Sequence, residues 1–130
     1  MDEGLDAARA EAERRGVPAY ERHIFICTGP DCCTPEQGQA AWSQLKGAVA
    51  RLNGSGERGR IYRTKVGCLR ICQQGPTAVV YPEGTWYGGL NPANLDRVIA
   101  EDLAAGRAVE DLVIGRNEAM GWGTNSEPSG

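Results

Sequence analysis

Hydrophobic positions in this chain switch back and forth between the spacing of strands and that of helices. The run RHIFICT (22–28) is β-branched and aromatic and stops at Gly29-Pro30, which predicts a first strand. In GQAAWSQLKGAVARL (38–52), Ala41, Trp42, Leu45, Val49 and Leu52 recur at helical spacing, and NGSGERG ends that helix. RIYRTKV (60–66) alternates again and predicts a second strand. Strand, helix and strand in that order predict a parallel pair joined by a right-handed crossover. Downstream, PTAVVYPEGTWYGGL has the pattern of a hairpin: Val79, Val80 and Tyr81, a turn at Pro82-Glu83-Gly84, then Trp86 and Tyr87. Asn91 and Pro92 read as the N-cap and first residue of a second helix. Its Leu95, Val98, Ile99 and Leu103 share one face as far as Gly106.

The two ends follow neither pattern. Residues 2–15 alternate acids, alanines and arginines around one large apolar group, Leu5, and predict a polar helix that is frayed or unformed on its own. After Ile114 the chain turns polar and Gly-rich, so that mobility is expected there. The expected organisation is an N-terminal extension over 1–20, one domain over 21–114 and a tail over 115–130. The fold class is α/β, with β-α-β followed by β-β-α in a small mixed sheet flanked by helices. That order is the one used by the thioredoxin core.

A length of 130 residues suits a single domain. No apolar run near the N-terminus is long enough for a signal peptide, and the apolar stretches elsewhere are only strand-sized, so the expected compartment is the cytoplasm. Charge refines the picture more than composition does. Between Gln37 and Pro82 seven basic residues face one acid, Glu57, a net of +6 within an overall −3. With so few aromatics and an acidic pI of about 5.2, this basic middle is a poor nucleic-acid surface.

All five cysteines lie in or beside that basic middle, in CTGPDCC (27–33) and CLRIC (68–72). The spacings are Cys27-x4-Cys32 with Cys33 adjacent, and Cys68-x3-Cys72. Each pair follows a predicted strand, and two neighbouring parallel strands bring their following loops to one sheet edge, where thiolates from both can converge. A disulfide framework belongs in an oxidising compartment. Structural zinc usually takes C-x2-C knuckles. Plant-type ferredoxin spacing requires a cysteine where Pro35 stands, a Rieske centre requires two histidines where the chain has only His23, and dithiol catalysis requires C-x-x-C. Three functions stay open on spacing alone. One is an iron–sulfur protein, one a thiol-redox protein using Cys32 with Cys33 or Cys27, and one a zinc-binding structural subunit.

The stretches IFICTGPDC, VGCLRICQQGPTAVVYPEGTWYGGL and AAGRAVEDLV resemble the thioredoxin-like [2Fe-2S] ferredoxins, relatives of the cluster-bearing small subunit of respiratory complex I. The resemblance spans about residues 22–113. It implies one [2Fe-2S] cluster per chain, held by Cys27, Cys32, Cys68 and Cys72. Because the first loop of the family varies in length, Cys33 is an alternative to Cys32; otherwise it is a small buried filler. The implied function is one-electron transfer between redox partner proteins such as a reductase or a hydrogenase-like donor and an acceptor. The chain is then no enzyme, binds no nucleic acid or membrane, and is expected to form a homodimer through the aromatic hairpin around Trp86 and Tyr87. Two ferric irons, two sulfides and four thiolates sum to a charge of −2, and reduction makes it −3. Gly29, Gly67 and Gly75 are therefore expected to let backbone N–H groups approach sulfur, with Arg70 adding positive charge between Cys68 and Cys72. A cis bond at Gly75-Pro76 is expected by analogy with the thioredoxin fold. Trp42 is expected to pack the first long helix on the sheet, and His23 to be a strand-edge residue rather than a proton carrier.

Overall fold

A computed structural model describes residues 3–30, 33–54, 60–71 and 75–117. Cys32, Cys72 and the tail beyond 117 lie outside the described residues. The polar N-terminal stretch forms α1 (Glu3–Arg14), which buries none of its residues and is laced by Arg9–Asp6, Arg14–Glu11 and Arg15–Glu11 pairs. Such solvent-exposed pairs, screened by water and salt, each add little to stability.

Strand β1 (Arg22–Cys27) pairs in parallel with β2 (Ile61–Val66), from Arg22 opposite Ile61 to Cys27 opposite Val66. The connection is α2 (Pro35–Asn53), three residues longer at its start than the apolar spacing predicts. The reason is polar rather than hydrophobic: Thr34 is the N-cap, its hydroxyl accepts from Gln37 N, and the Gln37 side chain accepts from Thr34 N. This capping box, with Pro35 in the first turn, satisfies two otherwise orphaned amides and is worth about 0.5–2 kcal/mol. On the other side of β1 lies β3 (Ala78–Tyr81), antiparallel, followed by β4 (Thr85–Tyr87) across the predicted hairpin. Both Gly75-Pro76 and Tyr81-Pro82 are cis.

The second helix begins as predicted. Asn91 caps α3 (Pro92–Val98) by accepting from Asn94 N, but the helix continues through Ile99–Leu103 as a π turn. Val113–Arg116 then pairs with β4 as β5. This strand crosses the expected domain edge at 114. Its sequence, VIGR, is too short and too interrupted by glycine to signal a strand by itself; tertiary pairing with β4 creates it. The sheet is five-stranded, in the order β2-β1-β3-β4-β5.

The main core lies between one face of the sheet and the helices. Ile24, Ile26, Ile61, Ala78 and Val80 meet Ala41, Leu45 and Val49 of α2 and Leu95, Val98 and Ile99 of the second helix. Trp42 is in this core as expected, and on its ring lie Arg63 at 5.0 Å, Lys65 at 5.8 Å and Lys46 at 6.0 Å. The alternate strand positions carry an aromatic cluster: His23 stacks on Phe25 at 4.0 Å and Tyr20 on Tyr62 at 5.2 Å. His23 sits in a central strand rather than at an edge. Its Nε2 shares a 2.8 Å hydrogen bond with Thr64 Oγ1, and burial pushes its pKa below the usual value, so the ring is neutral near pH 7. Tyr87 of the hairpin is wholly buried, a core residue. Trp86 is half-buried beside the exposed Ile71 and Ile114.

Candidate metal centre

Because β1 and β2 run in parallel as neighbours, their C-terminal ends share one edge of the sheet. Cys27 is the last residue of β1 and Cys68 follows β2 by two residues, so the two cysteine-bearing loops leave the sheet side by side. They touch at Gly29 and Gly67. A Cβ on Gly29 would fall 1.6 Å from the Gly67 carbonyl oxygen, so only glycine permits this approach. The Cys27 thiol in turn lies 3.9 Å from the same carbonyl. At Gly29 the missing side chain serves the crossing of two backbones.

Helix α2 is brought close in the same way. A Cβ on Gly38 would lie 2.7 Å from the carbonyl oxygen of Thr28. The first turn of the helix therefore rests directly on the residue after Cys27, a small-residue position that helical spacing does not reveal.

Cys27 and Cys33 are buried and pack together with Val66 and Leu69 in a small apolar cluster apart from the main core. The Cys33 thiol donates to Gly29 O at 3.8 Å. Cys68 is exposed, and its sulfur accepts a hydrogen bond from the backbone N–H of Arg70 at 3.2 Å. Arg70 has a left-handed φ of 73°, a conformation that a residue with a Cβ adopts only at a cost. What the sequence suggests as a charge effect of the Arg70 side chain is first of all a backbone donor aimed at sulfur. Among the described residues no group of three or more His, Cys, Asp or Glu side chains converges. Of the four expected ligands, Cys27 and Cys68 are brought to one edge, and Cys32 and Cys72 lie outside the described residues.

The donor set at this edge is soft sulfur with backbone N–H support, which suits iron or another thiophilic metal. A buried hydroxyl at the same edge, that of Thr77, has no hydrogen-bonding partner among the described residues. Both features fit an iron–sulfur cluster bound across the two loops.

No family model matches the chain. It is 30% identical over 101 residues to a 2Fe-2S ferredoxin of Clostridium pasteurianum, across 72% of this chain and 96% of that protein. It is 41% identical over 58 residues to a 2Fe-2S ferredoxin of Aquifex aeolicus, a match that spans about half of that relative (52%) and 45% of this chain. Among solved structures, the thioredoxin-like [2Fe-2S] ferredoxin from Aquifex aeolicus superposes with a TM-score of 0.66 at 27% identity, covering 77% of this chain and 96% of that one. With the cysteine loops, the parallel β1–β2 pair and the hairpin in place, these similarities establish that the chain belongs to the thioredoxin-like [2Fe-2S] ferredoxins.

Proposed function

We propose that this chain binds one [2Fe-2S] cluster through Cys27, Cys32, Cys68 and Cys72 and serves as a one-electron carrier between redox partner proteins in the cytoplasm. The observation that carries the proposal is the Gly29–Gly67 contact, which clamps the two cysteine loops together at one sheet edge. Bound there, the cluster supplies a reversible one-electron couple. The chain's own residues hold and tune it. Thiolates ligate, the Arg70 N–H stabilises negative charge on the Cys68 sulfur, and Val66 and Leu69 exclude water on the Cys27 side.

Protein purified without oxygen is expected to be red-brown, with two irons and two sulfides per chain. Single Cys→Ser changes at Cys27, Cys68 and Cys72 are expected to abolish or strongly destabilise the cluster. Of the adjacent pair, Cys32→Ser is expected to do so and Cys33→Ser to leave two irons bound, consistent with Cys33 as a buried packing residue. Colourless wild-type protein would refute the assignment, and loss only from the Cys33 variant would transfer the fourth ligand to Cys33.

Partner docking is supported by the cations on Trp42. Arg63, Lys65 and Lys46 are exposed, and Lys65 lies three residues before Cys68. A partner with an acidic face would be steered toward the cluster edge, and exposed charges of this kind are screened over about 8 Å at physiological salt. Association rates with a reductase are therefore expected to fall several-fold or more between 50 and 500 mM salt, and less so for Arg63→Ala/Lys65→Ala. A rate indifferent to salt would remove the steering. The half-buried Trp86, with exposed Ile71 and Ile114 around a depression of about 270 Å³, suits the interface of a homodimer, to be read by light scattering as twice 13.9 kDa.

A further inference from the structure

Thr77 is fully buried, yet its hydroxyl meets no hydrogen-bonding partner among the described residues. A lone hydroxyl held away from water is costly, so a fold retains one where something beyond these residues answers it. Its place in the sheet says what that is. Thr77 stands one residue before β3, and its carbonyl accepts from Cys27 N at 2.8 Å. This extends the antiparallel β1–β3 register by one step beyond Ile26 opposite Ala78, so that Thr77 faces Cys27 directly. Side chains directly opposite in an antiparallel pair project from the same face, with Cβ atoms about 4.5–5.5 Å apart. Ile26 and Ala78 point into the main core, whereas Cys27 belongs to the small cluster at the loop edge. Thr77, next in alternation to Ala78, is on the Cys27 side.

We infer that the Thr77 hydroxyl is a hydrogen-bond donor to sulfur on the Cys27 side of the bound cluster, and that it tunes the reduction potential. The inference rests on the proposed cluster assignment. Sulfur is the acceptor the site offers once the thiolates are metal-bound, and reduction adds negative charge to that sulfur. A donor therefore binds the reduced state more strongly than the oxidised state and raises the potential. Nothing is transferred in this step; the proton stays on Oγ1. A buried valine would fill the same volume, so the hydroxyl is the feature of Thr77 that needs a role.

The test uses the loaded full-length chain with Thr77→Val and Thr77→Ser. Thr77→Val is expected to retain two irons per chain while its reduction equilibrium shifts toward the oxidised form by as much as tenfold, about 59 mV for one electron. Resonance Raman bands of the iron–sulfur stretches are expected to show a smaller shift on transfer to D₂O in Thr77→Val than in wild type. Thr77→Ser is expected to restore both readouts. Thr77→Val with a full cluster, an unmoved potential and an unchanged D₂O shift overturns the inference, whether a water or nothing holds the hydroxyl. Should Thr77→Val take up no iron, Thr77→Ser against Thr77→Ala carries the same comparison. Wild-type chain that binds no iron overturns the function itself, an outcome distinct from the failure of this hydrogen bond.

Discussion

Gly29→Ala is expected to empty the site, whereas Gly67→Ala, at the other side of the same contact, is expected to leave it loaded. The added methyl group on residue 29 would stand 1.6 Å from the Gly67 carbonyl oxygen, where ordinary contact begins near 3.4 Å. The obstacle is backbone, so no side-chain rotation relieves it. One loop must retreat by well over an ångström, and the loops carry Cys27 and Cys68 on either side of the clash. Thiolate ligation at fixed metal–sulfur lengths tolerates far less than that. A Cβ on Gly67 meets nothing within 4 Å, and its φ is not left-handed, so alanine fits there. Overpacking of this kind costs about 1–3 kcal/mol and occasionally more. Loss of iron adds to it, because a ligand bound only by the folded chain also stabilises the fold. Iron per chain and visible absorbance read the outcome. A Gly29→Ala protein with two irons and wild-type colour would show that the loops are not clamped at this point.

The two mutations also mark the limit of what residue patterns disclose. Strands β1 and β2, helix α2, the hairpin and the Asn91 cap were legible because each rests on a local period or a local turn signal. The convergence of the two cysteine loops was legible too, because parallel neighbours share an edge. Contacts between segments remote in sequence were not. Gly29 reads as a turn glycine until the Gly67 carbonyl is seen against it, and Thr77 reads as an ordinary strand residue until Cys27 is opposite it. The π turn at Ile99–Leu103 likewise keeps the apolar spacing of an α-helix while delivering Asp102 into the interior. The early start of α2 is different. Thr34-Pro35-Glu36-Gln37 is a capping box readable from sequence, and apolar spacing simply does not register it.

Asp102 leads to the largest expected effect on stability. It is 2% exposed, and its carboxylate accepts from Tyr87 Oη at 2.5 Å and from Arg22 at 3.1 Å, while Arg22 also pairs with the more exposed Glu83. Tyr87 Oη accepts from Val109 N in turn, so the network ties β1, β4 and the second helix together. Replacing Arg22 by Met keeps much of the aliphatic stem and removes the charge. Breaking a buried pair from one side costs about 3–5 kcal/mol, because the remaining ion stays desolvated. Burial already raises the Asp102 pKa, opposed by its bonds to Tyr87 and Arg22; without Arg22 it rises further. Between the unfolded and folded values the native state then binds more protons than the unfolded chain, so stability falls as pH rises through that window. Glu83 acts oppositely in the wild type: Arg22 lowers its pKa, and the stability this gives is present above the unfolded value and lost as pH falls. Both effects make the deficit of Arg22→Met greatest near pH 7 and smaller toward pH 4. Urea denaturation at the two pH values measures it, and Arg22→Met/Asp102→Asn is expected to recover a large part of the loss at neutral pH. Arg22 opens β1 and Cys27 closes it, about 16 Å apart along the strand, so the visible spectrum of the loaded variant should be unchanged. A deficit under 1 kcal/mol at pH 7, or one that persists unchanged in acid, would mean that water rather than Arg22 balances the Asp102 charge.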